Sequence, residues 1–159
     1  MIPFHGTVWR ILFADRAEDA LEPARHPEGR FHHSGQAALY ASLSAEGAAV
    51  ALRRYVRAAD PPRVIVPLRI DTARMVDLRG TPDQAAASVV WQGGRKAGAP
   101  SPTWVFSDRA RSDGAQGLIY ASRSRPELSH LVLFEIPRDT VAQAGAAIPW
   151  QPPYPVSNI

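Results

Sequence analysis

The chain has no cysteine and a single lysine, Lys96. The first absence excludes disulfides and thiolate metal sites, and fits a reducing compartment. The second makes arginine nearly the whole cation supply, a bias that a GC-rich genome also produces. Long apolar runs are missing as well, since no stretch approaches the roughly 18 residues that a spanning helix needs. The first residues, MIPFHGTVWRILFADRAED, lack a basic segment followed by an apolar one. A soluble, cytoplasmic protein without a membrane partner is the expectation. The formal net charge is only +3. Its basic residues are scattered, with small clusters at Arg53-Arg54-Arg57 and Arg123-Arg125, whereas a nucleic-acid protein concentrates them on one stripe. The charge therefore points to an anionic ligand rather than to direct nucleic-acid binding.

Several catalytic signatures are absent too. There is no G-x-G-x-x-G after a strand, no Walker loop, no G-x-S-x-G and no H-E-x-x-H. His32-His33 is a tempting metal pair, but adjacent residues point different ways, and no metal is expected. Ser122, His130 and Asp113 supply the residue types of a hydrolase triad, which only geometry can establish.

What remains suits one domain with a core of its own: 159 residues, 45% of them apolar. Thr7 to Phe13 (TVWRILF) has the run of a buried strand. Strands are also expected around Leu39, Tyr40 and Leu43, at Val64–Ile70, where Pro67 implies an edge or a bulge, at Met75–Leu78, at Gly117–Ser122 and at His130–Ile136. A helix follows Ser44, its N-cap, with Glu46 in the first turn and Ala48, Leu52, Tyr55, Val56 and Ala59 on one packed face. Thr81-Pro82-Asp83-Gln84 opens a second helix carrying Ala85, Val89 and Val90. Gly93 to Pro102 has the composition of a mobile loop, and Ser101-Pro102 opens a third helix closed by Gly114. The sum is an α+β domain of about six strands and three helices. Residues 1–136 form the body, and residues 137–159 a proline-rich tail packed on it.

Two arginines carry the functional argument. Arg10 is a lone cation in an apolar strand, where an unpaired charge is costly. It must therefore meet an anion, either Asp15, Asp71 or Asp77, or a ligand. Arg30 sits in a Gly-bounded turn that lets its guanidinium face a ligand. Tyr40 follows among small residues (Ala37, Ala38, Ala41, Ser42), which leaves space beside its ring. A bidentate cation next to an aromatic wall suits a molecule with phosphates and a flat ring.

In order, the chain has Trp9-Arg10, Gly29-Arg30-Phe31, Leu39-Tyr40-Ala41-Ser42 before an alanine-rich helix, GLIYASR from Gly117 to Arg123, and Leu131-Val132-Leu133-Phe134. This set resembles the RES-domain family, the toxin half of Res–Xre toxin–antitoxin pairs, over roughly Thr7 to Ile136. The resemblance implies the ADP-ribosyltransferase (diphtheria-toxin-like) fold and NAD⁺ as substrate. Most members destroy the dinucleotide as glycohydrolases or phosphorylases. A ParT-like branch transfers ADP-ribose to a protein, phosphoribosyl pyrophosphate synthetase. The resemblance also implies an Xre-type helix-turn-helix antitoxin as partner, and an alternative is a non-catalytic dinucleotide-binding module. It carries the family's arginines onto Arg10 and Arg30 for the pyrophosphate, its tyrosine onto Tyr40 against the nicotinamide, and its serine onto Ser122 for the ribose or carboxamide. One departure stands out: the family's helix glutamate falls at Ala51, with Glu46 the nearest acid.

Overall fold

The computed structural model describes residues 1–156. Among these residues seven strands occur: β1 (Ile2–Phe13), β2 (Leu39–Ser42), β3 (Arg63–Asp77), β4 (Gly117–Ala121), β5 (Ser129–Leu133), β6 (Val141–Gln143) and β7 (Ile148–Trp150). The helices are α1 (Ala45–Leu52), α2 (Asp83–Ala87) and α3 (Trp104–Ser112), with 3₁₀ turns at Ala14–Asp19 and Arg95–Ala97. The sheet runs β1-β2-β5-β4-β3-β6, β7 adds to β3, and β1 also pairs with β3. Because β1 bonds to both β2 and β3, the sheet closes on itself. The β3–β4 pair is parallel and the other pairings are antiparallel. A parallel pair needs a long crossover, here the segment that holds α2 and α3.

Side chains alternate between two cores, as the strand period of two requires. One contains Val8, Leu39, Ala41, Leu68, Ile119, Leu131 and Leu133. The other contains Phe31, Ala38, Phe106, Ala110, Leu118, Tyr120, Val132 and Phe134, and is covered by α3 and the turn before β2. Fully burying a side chain such as Leu131 stabilises the fold by roughly 1.5–3 kcal/mol. Gly117 is required at the start of β4, because a Cβ there would collide with the Val132 carbonyl.

Several elements differ from the sequence expectation. Val64–Ile70 and Met75–Leu78 are one continuous strand, β3. Pro67 falls between the stretches of β3 that pair with β7 and with β6, so its missing N–H interrupts no ladder bond. The first helix stops at Leu52 rather than reaching Ala59. Arg53, Arg54 and Arg57 would lie three and four residues apart on a longer helix and repel one another, and Tyr55 ends up 51% exposed. Likewise α2 stops at Ala87 and leaves Val89 and Val90 exposed. The loop expected to be mobile is anchored: Arg95 pairs with Glu28 at 2.6 Å and lies 4.7 Å over the Trp104 ring. The tail adds strands to the body, since β6 and β7 extend the sheet and the Tyr154 hydroxyl donates to Ala49 O on α1 at 3.1 Å. Its last three residues lie outside the described range.

Candidate active site

The turn that presents Arg30 is fixed through its backbone. Gly29 N donates to His32 O at 3.0 Å. The Gly29 carbonyl accepts from Trp104 Nε1 at 2.8 Å, the Arg30 carbonyl from the Thr103 hydroxyl, and the Phe31 carbonyl from Arg111 Nη1 at 2.9 Å. Four successive carbonyls are thus satisfied, three of them by α3 and the residue before it. Gly29 has no room for a side chain, because a Cβ would lie 2.5 Å from His32 Cε1 and 2.8 Å from the Tyr40 hydroxyl.

Tyr40 locks the turn from below. His32 Nε2 lies 2.8 Å from the His26 carbonyl, which can only accept, so the proton sits on Nε2. Nδ1 is then a bare acceptor and takes the Tyr40 O–H at 2.7 Å, while the phenol oxygen accepts from Phe31 N at 2.9 Å. Burial lowers the His32 pKa and raises that of Tyr40, so both stay uncharged at neutral pH. With its hydroxyl engaged, Tyr40 has its ring left to offer. His33 goes elsewhere: it hydrogen-bonds Asp108 at 2.9 Å and stacks on Trp104 at 4.3 Å. The adjacent histidines therefore share no ligand position, and no group of three metal-ligating side chains occurs among the described residues.

Arg30, Tyr40 and Ser122 all line one cavity of about 750 Å³, which Arg10 also borders. This lies within the roughly 300–1,000 Å³ typical of small-molecule sites. Arg30 is moored by Nη1 alone, which donates to Ala87 O at 3.0 Å and Val89 O at 2.6 Å. Among the described residues its Nε and Nη2 meet no acceptor, yet no buried side-chain nitrogen lacks a partner. Those N–H groups are therefore solvent-accessible, on a residue that lines the cavity. Burial lowers the Arg30 pKa, opposed by Tyr120 and Tyr40 and reinforced by Arg123. Four arginines line the cavity (10, 30, 54 and 123) against one carboxylate, Glu28, which Arg95 holds. The lining is electropositive, which suits an anion.

Arg10 stands apart from this cluster. Trp9 is the cross-strand partner of Ser42, so Arg10 leaves β1 on the opposite side, with Val8 and Leu12 of the first core. None of the aspartates expected as partners meets it. Instead, Nη1 donates to Ala20 O at 2.8 Å and Glu22 O at 2.7 Å, and more weakly to Asp19 O. Burial lowers its pKa to about 10, so it stays charged at neutral pH. Backbone carbonyls at the end of the 3₁₀ turn satisfy the lone cation, and Arg123 is the charge closest in influence to Arg30.

Ser122 is buried at the end of β4, where its hydroxyl accepts from Arg125 N at 3.3 Å. The triad does not assemble. His130 Nδ1 pairs with Ser42 Oγ at 2.7 Å, and Asp113 caps the end of α3 away from the cavity. Ala51 does line the cavity, whereas Glu46 is drawn to Arg125 at 2.9 Å.

A family model of the RES domain matches residues 7–155. The chain belongs to the RES-domain family. A chain of the Mycobacterium tuberculosis MbcT–MbcA toxin–antitoxin complex, known from a crystal structure, shares its fold, with a TM-score of 0.66 at 18% identity over 95% of this chain and 87% of that one. No curated protein sequence matches significantly. Among the described residues, no helix of this RES domain is long and apolar enough to cross a membrane.

The RES domain adds two cavity residues that sequence reasoning did not select, Tyr120 and Ser42, and gives His130 a different place. The register sets Trp9, Ser42, His130 and Tyr120 in one row across β1, β2, β5 and β4. The signal was present in GLIYAS, where Tyr120 and Ser122 are two apart and must share a face. The link to Ser42 and His130 required the pairing.

Proposed function

We propose that this protein is the toxin of a toxin–antitoxin pair, cleaving the nicotinamide–ribose bond of NAD⁺ and passing ADP-ribose to a cytoplasmic protein. The observation that carries this reading is Arg30, held by one nitrogen while its remaining N–H groups stay solvent-accessible, on the lining of a cavity walled by Tyr40. That fork suits the diphosphate, with Arg123 adding charge from the rim. The Tyr40 ring packs on the nicotinamide and then on the ribosyl cation left as that bond lengthens. Ser122, its oxygen already accepting, donates its hydroxyl proton to the ribose or the carboxamide. The C–N bond breaks with its electron pair leaving on neutral nicotinamide. A nucleophile then supplies the new pair and gives up its proton. The diphtheria-toxin-like fold belongs to the same reading, as does an antitoxin of the helix-turn-helix type.

Transfer to a protein is favoured because Ala51 contributes no carboxylate and Glu28 is tied to Arg95, so the lining offers no acid poised to activate water. Phosphoribosyl pyrophosphate synthetase is the acceptor that the ParT-like branch implies. A second reading, depletion of NAD⁺ by phosphorolysis or hydrolysis, has its own support. Arg54 and Arg123 are exposed on the lining and suit a free phosphate. The test incubates the protein and Arg30→Ala with adenylate-labelled NAD⁺, lysate and phosphate. Label on a protein band supports transfer, and free ADP-ribose or its phosphate supports depletion. Tight NAD⁺ binding without product marks a non-catalytic module. Nicotinamide release that Arg30→Ala leaves intact overturns the site.

A further inference from the structure

His130 is the buried polar group that the scheme above leaves unused. It is 8% exposed and lines the cavity beside Ser42 and Tyr120. Nδ1 meets Ser42 Oγ at 2.7 Å, whereas Nε2 has no partner among the described residues. Since no buried side-chain nitrogen there is orphaned, Nε2 reaches the cavity space. Ser42 also lines the cavity, and this bond is its hydroxyl's sole side-chain contact among the described residues. The Arg30 cation close by opposes a proton on the ring. With hydrogen on Nδ1, the ring keeps a bare lone pair on Nε2. In that tautomer Nδ1–H donates to Ser42 Oγ, and the serine O–H turns outward as a donor. The pair then presents one acceptor and one donor side by side, the complement of a vicinal cis-diol, in which one hydroxyl donates and its neighbour accepts.

We propose that His130 and Ser42 grip the diol of the nicotinamide ribose, Nε2 accepting from one hydroxyl and Ser42 Oγ donating to the other. This deepens the NAD⁺-cleavage reading and rests on it. An acceptor on the hydroxyl next to the reacting carbon gains strength as that carbon becomes cationic, as it does in glycoside hydrolysis. His130 thereby supplies an accepting lone pair on a wall where Ala51 supplies none. Burial and Arg30 hold the imidazole pKa down to about 4, which keeps that lone pair free at neutral pH.

The test measures nicotinamide release from NAD⁺ and from its analogue lacking the 2′-hydroxyl on the nicotinamide ribose. Wild type and His130→Asn are compared, since asparagine keeps a partner for Ser42 and removes the Nε2 acceptor. The expected result is a fall in kcat of roughly 10²-fold for His130→Asn on NAD⁺, with a smaller change in KM. Wild-type discrimination against the deoxy analogue should largely vanish in the variant, which a merely structural role would not cause. Equal use of both substrates by wild type overturns the proposal even if the variant fails to fold, as does undiminished discrimination in a folded His130→Asn. If wild type releases no nicotinamide at all, the cleavage reading fails. The diol contact is then decided by titrating ¹⁵N-histidine-labelled protein with ADP-ribose: movement of the His130 Nε2 resonance supports it, and a fixed resonance refutes it.

Discussion

Acidification should weaken this fold through His130, by an amount the structure sets. The imidazole is nine-tenths buried, and desolvation first, then the Arg30 charge, lowers its pKa from 6.5 to about 4. The unfolded chain therefore takes up the proton at a higher pH than the folded one does. Stability rises with pH wherever the unfolded state binds more protons. The contribution is thus complete above about pH 6.5, declines as the pH falls, and is exhausted near pH 4. Each factor of ten in proton affinity is worth about 1.4 kcal/mol. About 2 kcal/mol is then lost by pH 5, and about 3 kcal/mol by pH 4. His130→Asn removes the titrating group and keeps a polar partner for Ser42. Urea unfolding of both proteins at pH 7, 6, 5 and 4 isolates the effect, because other titrating groups such as His32 cancel in the difference. The variant should lose less stability than wild type over this range, by those amounts. Parallel stability curves for the two proteins down to pH 4 would refute the argument.

Other substitutions probe the same region. Tyr40→Phe keeps the ring but strands His32 Nδ1 and Phe31 N–H, so urea unfolding should show a loss of about 1–3 kcal/mol. A loss within about 0.3 kcal/mol would contradict the hydrogen-bond assignment. Gly29→Ala forces a Cβ against His32 and the Tyr40 hydroxyl. It should lower both stability and ADP-ribose affinity measured by calorimetry, and an unchanged affinity would show that the turn does not present the ligand-binding cation. Ala51→Glu restores a carboxylate on the cavity wall. It should raise the proportion of free ADP-ribose among labelled products, whereas an unaltered product ratio would mean that the alanine does not decide between water and other acceptors.

How much of this was legible beforehand depends on how local each feature is. The Ser44 cap needs only its own helix, and its hydroxyl accepts from Gly47 N at 2.9 Å as expected. Arg30 was legible because glycine and the residues beside it shape the turn. The clamp that fixes it was not, since Thr103, Trp104 and Arg111 lie more than seventy residues away. Arg10 was marked as a charge that needs an anion, either an aspartate or a ligand. Its partners are main-chain carbonyls, which leave no mark in residue types. The ends of α1 and α2 were overrun because apolar spacing continued past them, through Tyr55 and through Val89 and Val90. In the fold Tyr55 lines the cavity, and Val89 and Val90 are exposed instead of packed in a core. His130 and Ser42 are 88 positions apart, and the register of β2 on β5 alone makes them neighbours.

The most direct measurement is a crystal structure with ADP-ribose bound. The diphosphate should lie within hydrogen-bonding distance of Arg30 Nε and Nη2, with the terminal ribose between the Tyr40 ring and the Ser42–His130 pair. Density for ADP-ribose on another surface, with the cavity beside Arg30 holding only water, would contradict the assignment.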